Sequence, residues 1–222
     1  MKRTVACNEG LEFAFDPAST ALLSIDFQRD FCDPDGFCAQ YPGGIESTSA
    51  ILPRAIRVLA ASRAGGLHIV HTREGYLPDL ADVNPMKRAR GVVGSPGPLG
   101  PFLLRGTEGQ RTIDAMAPLA GEPEYDKPGY SAFHATTLDA DLRARGITHL
   151  VLMGVTTQCC VHSTLRSAVD LGYWCLTIED CCAALRPDWH KGAIDLIYSE
   201  NHLFGWVAKA DALTGALQAR AA

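Results

Sequence analysis

The chain predicts a three-layer α/β/α domain with a central parallel β-sheet, and three observations carry that expectation. Short, nearly continuous apolar runs alternate with amphipathic stretches along the sequence. Runs of that length and composition suit strands buried on both faces, which occur in parallel sheets covered by helices. At 222 residues and 47% hydrophobic content, the chain can also bury a substantial core as one domain. No internal repeat or low-complexity tract marks a second unit, so residues 1–222 read as a single domain.

The elements follow in order. Thr20 to Phe27 (TALLSIDF) reads as a buried strand. Ile51 to Arg63 reads as a helix with Ile51, Ala55, Val58 and Leu59 on one face, closed by Gly65-Gly66. His68 to Thr72 is a strand, and Leu138 to Arg145 a helix stopped by Gly146. Leu150 to Val155 is a strand, and a helix-like stretch runs from Ser163 to Leu171 before Gly172. Trp174 to Ile178 is a strand, His190 to Tyr198 a helix, and Lys209 to Arg220 a helical tail. Residues 75–124 differ: they are rich in Gly and Pro, irregular, and long for a loop. Loops of that length in compact domains are often lids or oligomer contacts.

Composition narrows the function classes. A net charge of −5 and the lack of any Lys/Arg-rich run argue against nucleic acid. Met1 to Phe15 carries charges and a glycine where a secretory signal needs an apolar core, and no apolar run approaches the ~20 residues of a membrane span. A cytoplasmic enzyme or binding protein is the expectation. The eight cysteines fit neither disulfides nor zinc: two pairs are adjacent, and no Cys-x-x-Cys occurs. Most read as small buried apolar residues.

The pair Cys159-Cys160 is the exception. It lies at a strand-to-helix turn, where backbone N–H groups and the helix dipole favour an anion and so favour a thiolate. Ligands in open parallel sheets bind beyond the carboxyl ends of the strands. The polar residues at those ends are Asp26, then Arg73 and Glu74, then Asp126-Lys127, then the cysteine turn. Alone, Asp26 would cap a turn or pair with Arg29, Lys127 would be a solvated surface lysine, and either thiol would be core packing. Together, an acid, a lysine and a thiol point to nucleophilic catalysis: a thiolate to attack, a carboxylate to move protons, and a cation to favour both anions.

Four segments, LLSIDFQRDF (22–31), HTREG (71–75), DKPGYSAF (126–133) and GVTTQCCVHSTLRSAVDLG (154–172), resemble the isochorismatase-like cysteine hydrolases. That superfamily includes nicotinamidases, N-carbamoylsarcosine amidase and biuret hydrolase, and its fold is the Rossmann-like three-layer domain expected here. The likeness is greatest to the biuret-hydrolase branch, through REGYLPDLAD (73–82), GSPGPLG and RGTEG (105–109). It implies Asp26 as general acid/base, Lys127 as the lysine of a triad and Cys160, which precedes valine, as the nucleophile. Cys159 is then packing. It also implies a cis peptide at Val155-Thr156 and an oxyanion hole formed by the backbone N–H groups of Thr156 and Cys160. Nicotinamidase-type relatives bind a metal through an Asp-x-His plus His set, which has no counterpart here, so neither metal nor cofactor is expected. Relatives are dimers or tetramers, so a homo-oligomer is implied.

The departures bear on substrate, with Phe31, Tyr130 and Glu200 expected to contact it. Biuret hydrolases carry a second lysine where this chain has Tyr130, and a glutamine where an alignment on Phe204-Gly205 places Glu200. A pocket that loses a positive charge and gains a negative one favours a cationic ureide, and opposite charges in close contact interact by about 4 kcal/mol near a protein surface. That arithmetic favours guanylurea, hydrolysed to ammonia and, after decarboxylation, guanidine. The alternatives are biuret, or a carbamoyl compound of the N-carbamoylsarcosine or ureidoacrylate type, whose anionic substrates would want a cation in the pocket. An isochorismatase proper lacks the active cysteine. A non-catalytic scaffold is the remaining reading.

Overall fold

A computed structural model describes residues 2–41 and 43–218. The strands are β1 (Arg3–Ala6), β2 (Glu12–Phe15), β3 (Thr20–Ile25), β4 (His68–Glu74), β5 (Glu124–Lys127), β6 (His149–Val155), β7 (Trp174–Ala183) and β8 (Trp206–Ala208). The α-helices are α1 (Arg29–Cys32), α2 (Glu46–Ala50), α3 (Leu52–Ala64), α4 (Pro85–Arg90), α5 (Leu138–Ala144), α6 (His162–Asp170), α7 (Pro187–His202) and α8 (Ala210–Gln218). Positions 219 and 220 of the expected tail lie outside the described residues. Among the described residues no helix is long and apolar enough to cross a membrane.

Six strands form one parallel sheet in the order β5-β4-β3-β6-β7-β8, and β1 and β2 form a separate antiparallel hairpin. The central strands β3, β4, β6 and β7 alternate between two cores. Leu22, Ile69, Val151, Met153 and Leu176 face the layer of α3 and α8, with Ala55, Val58, Leu59, Leu213 and Leu217. Leu23, Ile25, Val70, Leu150 and Leu152 face the layer of α5, α6 and α7, with Leu138, Leu142, Leu165, Ile194 and Ile197. Burial of both faces is why these strands read as unbroken apolar runs, and each such side chain contributes about 1.5–3 kcal/mol.

The topology determines where ligands meet the sheet. From β3 the chain winds outward through β4 to β5, then returns across the sheet to β6 on the other side of β3. The order reverses between β3 and β6, and the crevice beyond their carboxyl ends is the usual ligand site of such sheets. The two strands approach closely there because of Gly154. Its φ is +142°, and a Cβ at that position would stand 2.1 Å from the Ile25 carbonyl oxygen.

Among the described residues, four strands have no counterpart in the sequence pattern: β1, β2, β5 and β8. β5 (EYDK) is an edge strand whose polar residues pair with β4: Arg73 bridges Glu124 at 3.0 Å and Asp126 at 2.9 Å. The loop before β5 is anchored by Glu122, which takes two bonds from Arg63 of α3 (2.7 and 2.8 Å), one from the Leu119 N–H and one with His71. Burial pushes the Glu122 carboxyl up, but the Arg63 guanidinium and the other donors outweigh it and hold the pKa at about 2. A depressed carboxylate stabilises the fold above its unfolded value of 4.5, and that contribution is lost as pH falls towards about 2. Glu122→Gln is expected to cost about 2–3 kcal/mol at neutral pH by urea unfolding. The difference from the parent should shrink steadily below pH 4.5, and a pH-independent difference would refute the ion-pair account.

Candidate active site

Three strand ends deliver the site. Asp26 follows β3 and has φ +55°, a left-handed conformation that aspartate tolerates better than most residues. Its Oδ1 accepts the Thr72 hydroxyl at 2.7 Å, and its Oδ2 lies 2.7 Å from the Lys127 ammonium. Lys127 ends β5 and donates to the Gly129 carbonyl at 2.9 Å. Both residues are fully buried.

Cys160 sits in a single wide turn, Thr157–Val161, between β6 and α6. The Cys159 and Val161 N–H groups both donate to the Thr156 carbonyl, which closes the turn, and the Val155-Thr156 peptide is cis. The Cys160 thiol donates to Glu74 Oε2 at 3.4 Å. Its sulfur and the carboxylate oxygens of Asp26 and Glu74 all lie within 4.8 Å of one another. Asp26, Lys127 and Cys160, distant in sequence, are thus one buried group at the switch point, and Cys159 stands beside it, half-buried.

Glu74 is the member that strand-end reading noted without assigning. It ends β4, held by a reciprocal pair with Gln28: the Glu74 N–H donates to Gln28 Oε1 at 2.7 Å, and Gln28 Nε2 donates to the Glu74 carbonyl at 2.9 Å. Glu74 Oε1 accepts the Tyr76 hydroxyl at 2.6 Å and the Lys87 ammonium at 2.9 Å, and Lys87 also donates to the Tyr76 hydroxyl. Two carboxylates and a thiol therefore share the site with two lysines.

The charges decide the protonation states. Burial pushes the Asp26 carboxyl up, as does Glu74, while Lys127 opposes them. Burial likewise pushes Glu74 up, but Lys127, Lys87 and the Tyr76 hydroxyl outweigh it and leave it below the usual value. Burial works against the Lys127 charge, yet Asp26, Cys160 and Glu74 hold its pKa above the ordinary value. The Cys160 thiol is held well above its usual value by its hydrogen bond with Cys159, by burial and by the two carboxylates, against the pull of Lys127. The resting sulfur is a thiol, and its ionisation requires a base within reach. Asp26 lies in that cluster; burial raises its pKa overall, and its 2.7 Å pair with Lys127 opposes that rise and favours the ionised form. Asp26, Glu74 and Cys160 are also a donor set of the kind metals use, but the two ammonium groups already neutralise its carboxylates.

A cavity of about 150 Å³ opens beside the cluster, lined by Glu74, Lys87, Arg90, Val92, Val93, Phe102, Leu103 and Tyr130. Tyr130 borders it. Phe31 does not: it packs edge-on against Phe102, ring centroids 5.9 Å apart, behind the cavity wall. Glu200 is exposed in the kinked end of α7, and among the described residues no hydrogen bond or ion pair ties it to the cluster. The pocket does not lose a cation at Tyr130 either. The Lys87 ammonium stands 3.7 Å above the Tyr130 ring, so the positive charge arrives from another element.

That element is α4, inside the irregular segment. Asn84 caps it by accepting from the Lys87 N–H at 2.9 Å, Pro85 starts it, and Gly91 ends it at φ +66°. Asn-Pro followed by glycine six residues later is a helix signal, and a reading based on apolar periodicity passes over it. Lys87 and Arg90 are three apart and share the face turned to Tyr130.

An open parallel sheet with a buried acid, lysine and thiol gathered at its switch point defines an α/β domain with a polar cluster at its strand ends. The chain belongs to the isochorismatase family, whose domain profile matches residues 20–212. It is 31% identical over 216 residues to the ureidoacrylate amidohydrolase RutB of Methylobacterium radiotolerans, covering 92% of this chain and 81% of that protein. Among solved structures it is similar to a cysteine hydrolase from Pseudomonas syringae pv. phaseolicola (TM-score 0.80, 27% identity, 92% of this chain and 94% of the other). It is also similar to the N-carbamoylsarcosine amidase of Thermoplasma acidophilum (TM-score 0.69, 27% identity, 87% and 97%).

Proposed function

We propose that this chain is a cysteine amidohydrolase that cleaves the terminal carbamoyl C–N bond of a small ureido acid. The observation that carries the reading is the Lys127–Asp26 ion pair, buried beside the Cys160 sulfur. Similarity to a ureidoacrylate amidohydrolase and to an N-carbamoylsarcosine amidase supports the substrate class.

In this mechanism Asp26 takes the Cys160 proton, and the thiolate attacks the carbamoyl carbon. The N–H groups of Thr156 and Cys160 receive the oxyanion. As the tetrahedral intermediate collapses, Asp26 returns the proton to the departing nitrogen, and ammonia leaves. Asp26 then deprotonates a water that attacks the S-carbamoyl thioester. The thiol reforms, and the product carbamate decays to an amine and carbon dioxide. Lys127 keeps Asp26 ionised at the start of each half-reaction.

The charge argument for guanylurea rests on Tyr130 and Glu200, and both supports are weak. Lys87 supplies the cation that Tyr130 lacks, and Glu200 is exposed. Ammonia release from ureidoacrylate, N-carbamoylsarcosine, biuret and guanylurea, measured side by side, tests the reading. A ureido acid is expected to give the highest kcat/KM. Faster turnover of guanylurea would overturn the substrate class, and no ammonia from any of the four would overturn the activity.

A further inference from the structure

We infer that Arg90 is the specificity-determining residue of this site: its guanidinium, at the rim of the cavity, receives the carboxylate of a ureido acid whose carbamoyl end lies at Cys160. This rests on the amidohydrolase reading above and names the group that selects the acid.

The cavity lining combines charged and polar groups, Glu74, Lys87, Arg90 and Tyr130, with apolar ones. Glu74 connects the cavity to the cluster: its Oε2 accepts from the Cys160 thiol, and its Oε1 is neutralised by Lys87 at 2.9 Å. The cavity walls include Val92, Val93 and Phe102. Its volume of about 150 Å³ is below the ~300–1,000 Å³ of drug-sized pockets and suits a short linear molecule.

Arg90 is the exposed cation of that lining. Its Nη1 donates to the Tyr130 hydroxyl at 3.4 Å, so the two side chains meet in the cavity lining. Among the described residues no carboxylate pairs with it, whereas Lys87, one turn earlier on the same face, is committed to Glu74. The two cations of α4 therefore divide the work. Lys87 cancels the negative charge inside the site, and Arg90 leaves a planar donor fork free at the mouth. A guanidinium of that kind binds a carboxylate through two parallel hydrogen bonds. Tyr130 adds a hydroxyl beside the fork. A small ligand with a carbamoyl group at one end and a carboxylate at the other matches the lining in polarity and charge, whereas a cationic ureide would set its guanidinium against Arg90.

The test compares ureidoacrylate with its methyl ester, which removes the charge and keeps the carbamoyl group. Ammonia release is measured for the parent chain, Arg90→Gln and Arg90→Lys, with thermal unfolding of each. In the parent chain the acid is expected to have a KM about ten- to a hundredfold below that of the ester, and the difference should narrow as salt is added. In Arg90→Gln the acid's KM should rise towards the ester's, with a smaller change in kcat, and Arg90→Lys should recover part of the loss. If the parent prefers the acid and Arg90→Gln keeps the same acid-to-ester ratio, the assignment of Arg90 is overturned while the amidohydrolase reading stands. If the parent releases ammonia from neither compound, the reading itself fails, and the assignment with it.

Discussion

Replacing Cys160 by alanine is expected to abolish ammonia release, and Cys160→Ser is expected to lower kcat by roughly a thousandfold or more, because a hydroxyl beside the same base is a far weaker nucleophile. Cys159→Ala should keep most of the activity, since only Cys160 lies within 4.8 Å of both carboxylates in the group it forms with Asp26 and Glu74. Rapid acid quenching during turnover, followed by mass spectrometry, should find the carbamoyl adduct on Cys160 and nowhere else. An active Cys160→Ala variant, or an adduct on Cys159, would remove the nucleophile assignment. Slow alkylation of the resting enzyme near neutral pH is also expected, because the thiol is held well above its usual pKa and is released only when Asp26 takes its proton.

The second large effect concerns Lys127. Removing one partner of a fully buried ion pair leaves the other as an uncompensated charge, at a cost of about 3–5 kcal/mol. Lys127→Met is therefore expected to lower stability by that amount in urea unfolding, and the double variant Asp26→Asn/Lys127→Met should recover part of it. The pH profile supplies an independent reading. Lys127 pulls the Asp26 pKa down against burial, so its loss lets that pKa rise. Activity requires ionised Asp26, so it is lost as pH falls through the Asp26 pKa, and in Lys127→Met that acid limb should move to higher pH. An unmoved limb would mean that Asp26 is not the base, or that Lys127 does not govern it.

The sequence shows these residues at very different clarity. Asp26 and Cys160 are legible because each follows an apolar run that can only be a buried strand, and parallel strands place their carboxyl ends together. Lys127 was legible as a motif residue, while the strand that carries it was not: β5 is short and polar, and its pairing rests on ion pairs to β4 that periodicity does not detect. Lys87 was invisible because its partner Glu74 is thirteen positions away in the chain, across a turn with no regular pattern. For the same reason the charge count at Tyr130 went astray. It compared residues along the chain, whereas the field in the cavity is summed in space, where α4 folds back and replaces the missing cation.

The cavity wall has a consequence for how such a protein changes over time. The reacting groups Asp26, Lys127 and Cys160 lie at the ends of β3 and β5 and beyond β6, locked into the sheet and its two cores. Most of the cavity lining, Lys87, Arg90, Val92, Val93, Phe102 and Leu103, comes from the single insertion between β4 and β5, and Glu74 at the end of β4 and Tyr130 just beyond β5 complete it. On the proposed function, bond breaking and most of substrate choice are inherited on separate stretches of chain. Lengthening, shortening or recharging that one insertion redirects the enzyme to a new molecule while the scissile chemistry stays as it is, and a transplanted insertion would carry its preference to a new host sheet.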